Sequence, residues 1–278
     1  MSYARTISLT ALAMLAFAGN SLLCRVALKE TAIDPASFTA IRLVSGALML
    51  WLVVRLKQGA PSGKGNWSSA FALFVYAAGF SFAYISLPAA SGALLLFGAV
   101  QATMIGYGLW KGERLRGLQT IGVLLAIGGL VGLLLPGLSA PPLKGALLMI
   151  GAGIAWGVYS LRGKGAGDPT RVTAGNFMRA VPITLVLSLL MIDFVTADAA
   201  GFYYAAASGA LASGLGYAIW YTALPSLKNT SAASVQLSVP VIAAVGGIIF
   251  LGEPMTLRLI LASVAILGGI ALVIVQKR

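Results

Sequence analysis

Seven stretches of this 278-residue chain carry no charge: residues 6–24, 65–110, 117–143, 145–161, 199–227, 229–252 and 259–276. A helix that crosses a membrane needs about 20 mostly apolar residues, so each stretch has room for at least one span. The run 65–110 has room for two and divides at Ser86-Leu87-Pro88, because proline ends one helix and starts the next. The pattern predicts ten spans, at about 7–26, 36–56, 67–87, 89–110, 116–135, 143–161, 172–192, 200–223, 230–250 and 256–275. Polar positions inside them are few: Asn20 on span 1, Gln101 and Thr103 on span 4, Ser160 on span 6, Gln236 and Ser238 on span 9.

The pattern occurs twice. Leu87-Pro88, Gly112-Glu113 and Gly128-Gly129 return as Leu224-Pro225, Gly252-Glu253 and Gly268-Gly269. Glu113 to Glu253 and Gly128 to Gly268 are shifts of 140 residues, whereas Arg42 to Arg179 and Pro88 to Pro225 are shifts of 137. The first half therefore lacks about three residues near its equivalent of 228–230. The repeats are residues 1–139 and 140–278, joined where Pro136-Gly137 and Pro141-Pro142 bracket a short loop. Each holds five predicted spans, and an odd number forces the second to enter the membrane from the opposite side.

Composition places these runs in a bilayer. Apolar residues make up 59% of the chain and charged ones 9%, against roughly 45–50% and about 25% in soluble domains. The net charge of +12 would suggest nucleic acid in a soluble protein, but its distribution along this chain points to membrane orientation instead. With the N-terminus cytoplasmic, thirteen of nineteen basic residues fall on the cytoplasmic side, and Arg25, Lys29, Lys144 and Arg258 fall outside. Both termini are then cytoplasmic. The expected fold is an all-α integral membrane protein of ten transmembrane helices in two inverted five-helix repeats.

Catalytic chemistry has little to work with. The chain has no histidine and one cysteine, Cys24, which removes Ser/His and Cys/His pairs, thiolate clusters and the usual zinc ligand sets. Gly165-Ala166-Gly167-Asp168 matches a Gly-x-Gly-Asp string of intramembrane aspartyl proteases, but no second aspartate lies inside a span. No Gly-Lys-Ser/Thr follows the glycines to cradle phosphate. No metal, cofactor, enzyme activity or nucleic-acid partner is expected, and the favoured state is a monomer in the bilayer.

Leu224-Pro225, Ser231-Ala232-Ala233, Pro240, Leu251-Gly252-Glu253-Pro254 and Gly268-Gly269, repeated in the first half as Leu87-Pro88, Ser91, Gly112-Glu113 and Gly128-Gly129, resemble the signature of the EamA branch of the drug/metabolite transporter superfamily. The resemblance spans the chain and implies a bacterial inner-membrane transporter with a central cavity lined by spans 1, 3, 4, 6, 8 and 9. Among characterised members it is most similar to aromatic amino-acid exporters. Val100 stands where the first half would match Pro240, so the helix break expected in span 9 is absent from span 4.

Candidate binding residues follow. Tyr76, Phe80 and Tyr84 form one stripe at i, i+4 and i+8 on span 3, and the shift of 137 carries Phe80 to Tyr217 and Tyr84 to Tyr221. Trp156 and Tyr159 add rings from span 6. Such stripes also serve as packing or interfacial belts. Asn20, Gln101 and Gln236 supply amides, which offer both donors and acceptors to a zwitterion and equally serve as glue between helices. Phe80, Tyr84, Trp156, Tyr159, Tyr217 and the three amides are the substrate-binding candidates. Arg42 and Arg179 are charges inside spans that either snorkel to the nearest interface or pair with helix-end carbonyls beside a gate. Glu113 and Glu253 are expected to be structural, held by the dipole and first-turn amides of the helices they open. No acid lies deep enough to carry a proton across, so tight ion coupling is not expected.

Topology is testable by impermeant thiol labelling of single cysteines in a Cys24→Ala background. Positions 29 and 144 are expected to label from outside intact cells, and positions 57, 116 and 164 only after permeabilisation.

Overall fold

The computed structural model describes residues 2–56, 63–112, 114–137, 139–163, 166–227 and 235–275. Lys57, Glu113, Lys164, Ser231-Ala232-Ala233 and the 228–230 insertion lie outside the described residues. Helices α1 (Tyr3–Glu30), α2 (Pro35–Leu56), α3 (Trp67–Tyr84), α4 (Ala89–Trp110), α5 (Gly117–Leu134), α6 (Leu143–Gly163) and α7 (Pro169–Leu190) lead to a composite α8. It consists of Ala199–Ala207, a π-helical stretch Ser208–Leu215, and Gly216–Ala223. The last two helices are α9 (Ser238–Leu251) and α10 (Leu257–Val275), and no strand occurs among the described residues. Among the described residues, eight helices, α1 to α7 and α10, are long and apolar enough to cross a membrane, whereas α9 spans 14 residues.

Local chemistry sets the ends. The side chains of Ser2, Asn66, Asp168 and Asp198 accept from the amides of Arg5, Ser69, Arg171 and Gly201, capping α1, α3, α7 and α8. Pro88 precedes α4, where predicted and observed bounds coincide. Gly112 (φ 91°) and Gly252 (φ 60°) end α4 and α9 in the left-handed region, which glycine enters without a Cβ penalty. This accounts for the repeat of Gly112 and Gly252 in the two halves. Pro240 is in the first turn of α9, where a missing amide costs no helical hydrogen bond, and the break expected there falls at Leu237, outside the helix.

The exterior is apolar and the interior is built from small residues. Leu124, Val131, Leu189, Leu190, Ile249, Phe250, Leu261 and Val264 are exposed, as a lipid-facing surface requires. Exposed Trp51 lies under the Arg55 guanidinium, and Tyr107 and Trp110 lie near the Lys111 ammonium, an interfacial arrangement at the ends of α2 and α4. Ala13, Ala18, Ala27, Ala36, Ala70, Ala83, Ala89 and Ala93 are fully buried. Without a hydrophobic drive between helices in lipid, close backbone approach through such residues provides the packing energy. Gly153 abuts the Leu96 carbonyl and Gly157 abuts Thr103, so α6 lies directly on α4.

Helix neighbours respect the internal repeat. Exchanging α1 with α6, α2 with α7, α3 with α8 and α4 with α9 turns the observed pair α3/α6 into α8/α1, α4/α6 into α9/α1, and α3/α7 into α8/α2, and all of these pairs are in contact. The partners α5 and α10 run antiparallel. Gln119 Nε2 donates to the Val273 carbonyl, Gly122 faces Gly269, Gly129 faces Ala265, and Arg258 donates to the Leu135 carbonyl. Gly129 and Gly269 thus pack within the bundle, while Gly128 and Gly268 face open space.

A methyl at Gly269 would collide with the Gly122 carbonyl and the Ala126 amide, whereas one at Gly268 meets nothing. Gly269→Ala is expected to lower stability by about 1–3 kcal/mol and Gly268→Ala to leave it nearly unchanged, as read by thermal unfolding in detergent.

Candidate functional site

Arg42 is the largest fully buried side chain, 1% exposed, about 10 Å along the α2 axis from Pro35. Its Nη2 donates to the Tyr76 hydroxyl (2.8 Å) and its Nε to Ser213 Oγ (3.3 Å). The guanidinium carbon stands 5.1 Å from the Tyr76 ring centroid and 4.8 Å from that of Phe80. Asn20 Nδ2 lies 3.5 Å from the Tyr76 hydroxyl, and Ser208 Oγ donates to Asn20 Oδ1 at 2.6 Å. The network links α1, α2, α3 and the π-helical part of α8, whose two polar residues in it are Ser208 and Ser213. Gly209 rests against the Arg42 carbonyl and Ser45, and Gly214 against Met49, so the π stretch lies close along α2. Such π segments often occur at functional sites.

Rings from both halves meet beside this network. Trp156 lies 4.8 Å from Tyr76, 5.1 Å from Tyr159 and 5.2 Å from Tyr217, stacked on the last two. Phe17 and Phe177 pack on Tyr217 at 5.6 and 6.0 Å, and Phe80 contacts Tyr76 and Tyr84 at 5.6 and 4.7 Å. The cluster joins α1, α3, α6, α7 and α8.

Two polar knots stand toward the ends of the bundle. Where α1 ends, Arg25 Nε pairs with Glu253 Oε1 at 3.0 Å and Arg25 Nη1 donates to the carbonyls of Tyr84 (2.9 Å) and Ile85 (3.1 Å). Glu253 Oε2 accepts from the Ala89 amide at 2.7 Å, so this carboxylate serves the N-terminus of α4. This corrects the expectation that Glu253 is held by its own helix, since α10 begins four residues later. Nearby, Asp34 accepts from the amides of Ala36, Ser37 and Thr196. Burial raises its pKa, but these bonds outweigh burial and hold it below the ordinary aspartate value. Its stabilising contribution is therefore present above about pH 4 and lost as pH falls further. At the other end, Asn176 Nδ2 donates to the Tyr159 hydroxyl (3.3 Å), which also bonds Thr173, and Asn176 Oδ1 accepts from the Asn66 amide (2.8 Å). Arg179 donates to the carbonyls of Lys64 (2.6 Å) and Gly175 (2.9 Å).

The structure brings together Asn20, Phe80, Tyr84, Trp156, Tyr159 and Tyr217 of the sequence candidates. Gln101 is buried on α4 and Gln236 half-buried ahead of α9, and neither is tied into the cluster by the hydrogen bonds and ring contacts of the described residues. Arg42 does not snorkel but turns into the bundle, because Tyr76 and Ser213 offer acceptors across it. Arg179 follows the carbonyl-pairing alternative. Sequence reasoning missed Arg25, which it counted as an outer surface charge, and also Ser208, Ser213 and Asn176. Two Ser-Gly pairs, Ser208-Gly209 and Ser213-Gly214, inside a predicted span were the available signal for the π stretch.

A lipid-facing helical bundle with a buried polar and aromatic centre defines a polytopic membrane protein. The EamA-like transporter family model matches residues 143–275. An uncharacterized protein of Pseudomonas aeruginosa is 60% identical over 98% of this chain and 96% of its own. An uncharacterized transporter of Archaeoglobus fulgidus is 29% identical over 90% of both. The threonine/homoserine exporter of Salmonella typhimurium is 35% identical over 55% of this chain and 54% of its own. A crystal structure 20% identical in sequence superposes with a TM-score of 0.67 over 100% of this chain and 99% of that one, which shows the shared fold. The chain belongs to the EamA-like transporter family. It is an integral protein of the bacterial inner membrane, and its family is one of transporters.

Breaking a buried ion pair leaves an uncompensated charge, which typically costs about 3–5 kcal/mol, whereas replacing both partners with apolar groups is often neutral. Arg25→Met and Glu253→Leu are each expected to destabilise the protein, and the double variant to recover much of the loss, in a double-mutant cycle read by thermal unfolding.

Proposed function

We propose that the protein exports amino acids with bulky apolar or aromatic side chains, alternately exposing a central site to the two faces of the membrane. The observation that carries this is the meeting of Tyr76 and Phe80 from the first half with Trp156, Tyr159 and Tyr217 from the second, around buried amide, hydroxyl and guanidinium groups. A substrate held there touches both halves, so rocking of one half against the other would change its access. The antiparallel α5/α10 pair supports inverted repeats at 1–139 and 140–278, since equivalent residues of the two helices run in opposite directions. In this reading Asn20, Phe80, Tyr84, Trp156, Tyr159 and Tyr217 contact substrate, with Gln101 and Gln236 reaching it from α4 and the segment before α9. The Arg25–Glu253 knot closes one end, and Arg179 with Asn176 closes the other. A hydroxylated amino acid is the second reading, favoured by the likeness to a threonine/homoserine exporter.

Transport is uncoupled from ions in this scheme. The buried carboxylates Asp34 and Glu253 both lie at helix ends and already accept two or more hydrogen bonds. A proton carrier needs a group that titrates midway.

Purified protein in liposomes is expected to give saturable flux with counterflow of an aromatic amino acid, continuing when proton and sodium gradients are collapsed. Uphill accumulation driven by either gradient would overturn the uncoupled scheme. Trp156→Ala is expected to weaken substrate binding by about 1–3 kcal/mol in a folded protein, read as a raised half-saturation in counterflow.

A further inference from the structure

A guanidinium taken out of water demands compensation, and Arg42 receives only part of it. Nε and Nη2 are satisfied by neutral hydroxyls, while Nη1 is buried and has no hydrogen-bond partner among the described residues. No described carboxylate pairs with it; Glu253 is paired with Arg25, and Glu30 with Lys29. Leaving such a cation uncompensated in a low-dielectric interior is strongly unfavourable, and a buried charge in a span is a functional-site candidate by default. The aromatic faces of Tyr76 and Phe80 offset some of this cost, but a ring quadrupole supplies neither an acceptor for Nη1 nor a negative charge.

We propose that Arg42 Nη1 is the carboxylate anchor of the transport site and that the substrate class is monocarboxylate organic acids, amino acids among them. The neighbouring groups fit this division. Beyond the guanidinium, Tyr76 and Phe80 lead to Trp156 and Tyr217, a wall of ring faces suited to the carbon skeleton of an organic acid. Asn20, bonded to both Ser208 and Tyr76, offers a polarisable amide on the far side of the Tyr76 hydroxyl for an α-ammonium or hydroxyl group. Arg179, the repeat equivalent, differs in that its Nη1 already donates to the Lys64 and Gly175 carbonyls.

The inference rests on the amino-acid reading but is tested apart from it, with probes that are not amino acids. Binding of phenylacetate and of phenylacetamide to the full chain in detergent is compared by isothermal titration calorimetry. The acid is expected to bind about 10- to 100-fold more tightly than the amide, because a hydrogen bond between two charged groups is worth roughly that factor. Arg42→Gln is expected to abolish this preference, and Arg42→Lys to keep part of it. A structural arginine would change affinity for both probes alike. Equal binding of acid and amide by the unsubstituted protein would overturn the proposal even if Arg42→Gln fails to fold. Transport of amino-acid amides as fast as the parent acids would also overturn it while leaving the amino-acid reading intact. Acid-selective, Arg42-dependent binding without any amino-acid transport would do the reverse.

Discussion

The middle of this bundle is organised around one positive charge with no described acid beside it. Arg42 reaches from α2 to Tyr76 on α3 and Ser213 on α8, and through Tyr76 the network extends to Asn20 on α1. In hydrocarbon each of these groups must find its partners inside the protein. Glycine and serine at Ser208-Gly209 and Ser213-Gly214 let α8 lie close enough to α2 for this to happen. Aromatic rings then enclose the remaining faces. Helix packing and the chemistry of the centre are the same problem solved once.

Charged side chains make buried contacts toward both ends of the bundle. At one end an ion pair, Arg25 with Glu253, ties the α3–α4 junction to the α9–α10 junction. At the other, Arg179 donates to backbone carbonyls, and Asn176 bonds both the Asn66 amide and the Tyr159 hydroxyl. A buried ion pair is costly to separate because both charges need new partners, whereas carbonyl contacts are exchanged singly.

Much of this was legible in the chain. Charge-free runs located the helices, Pro88 and Gly252 marked their ends, and a period of four along Tyr76, Phe80 and Tyr84 placed three rings on one face. Periodicity reports the face of a helix but not what that face meets. It could not show that Arg42 turns inward, because snorkelling and burial start from the same position in the sequence and differ only in the acceptors across the bundle. It could not pair Arg25 with Glu253, 228 residues apart. The π stretch escaped because a window tuned to 3.6 residues per turn averages over a single irregular segment.

That stretch has a consequence for how α8 can change. In lipid, a carbonyl released from an i→i+5 bond meets no water, so Ser208–Leu215 has two admissible ladders, π or α, with little between them. Passing from one to the other shifts the helix phase by one residue, about 100° of rotation. Ser208 stands at the start of the segment and Tyr217 just past its end, so such a shift would turn the ring of one against the hydroxyl of the other. The helix that carries Ser208, Ser213 and Tyr217 into the centre thus holds a stepwise degree of freedom, and its motion is better pictured as a click than as a bend.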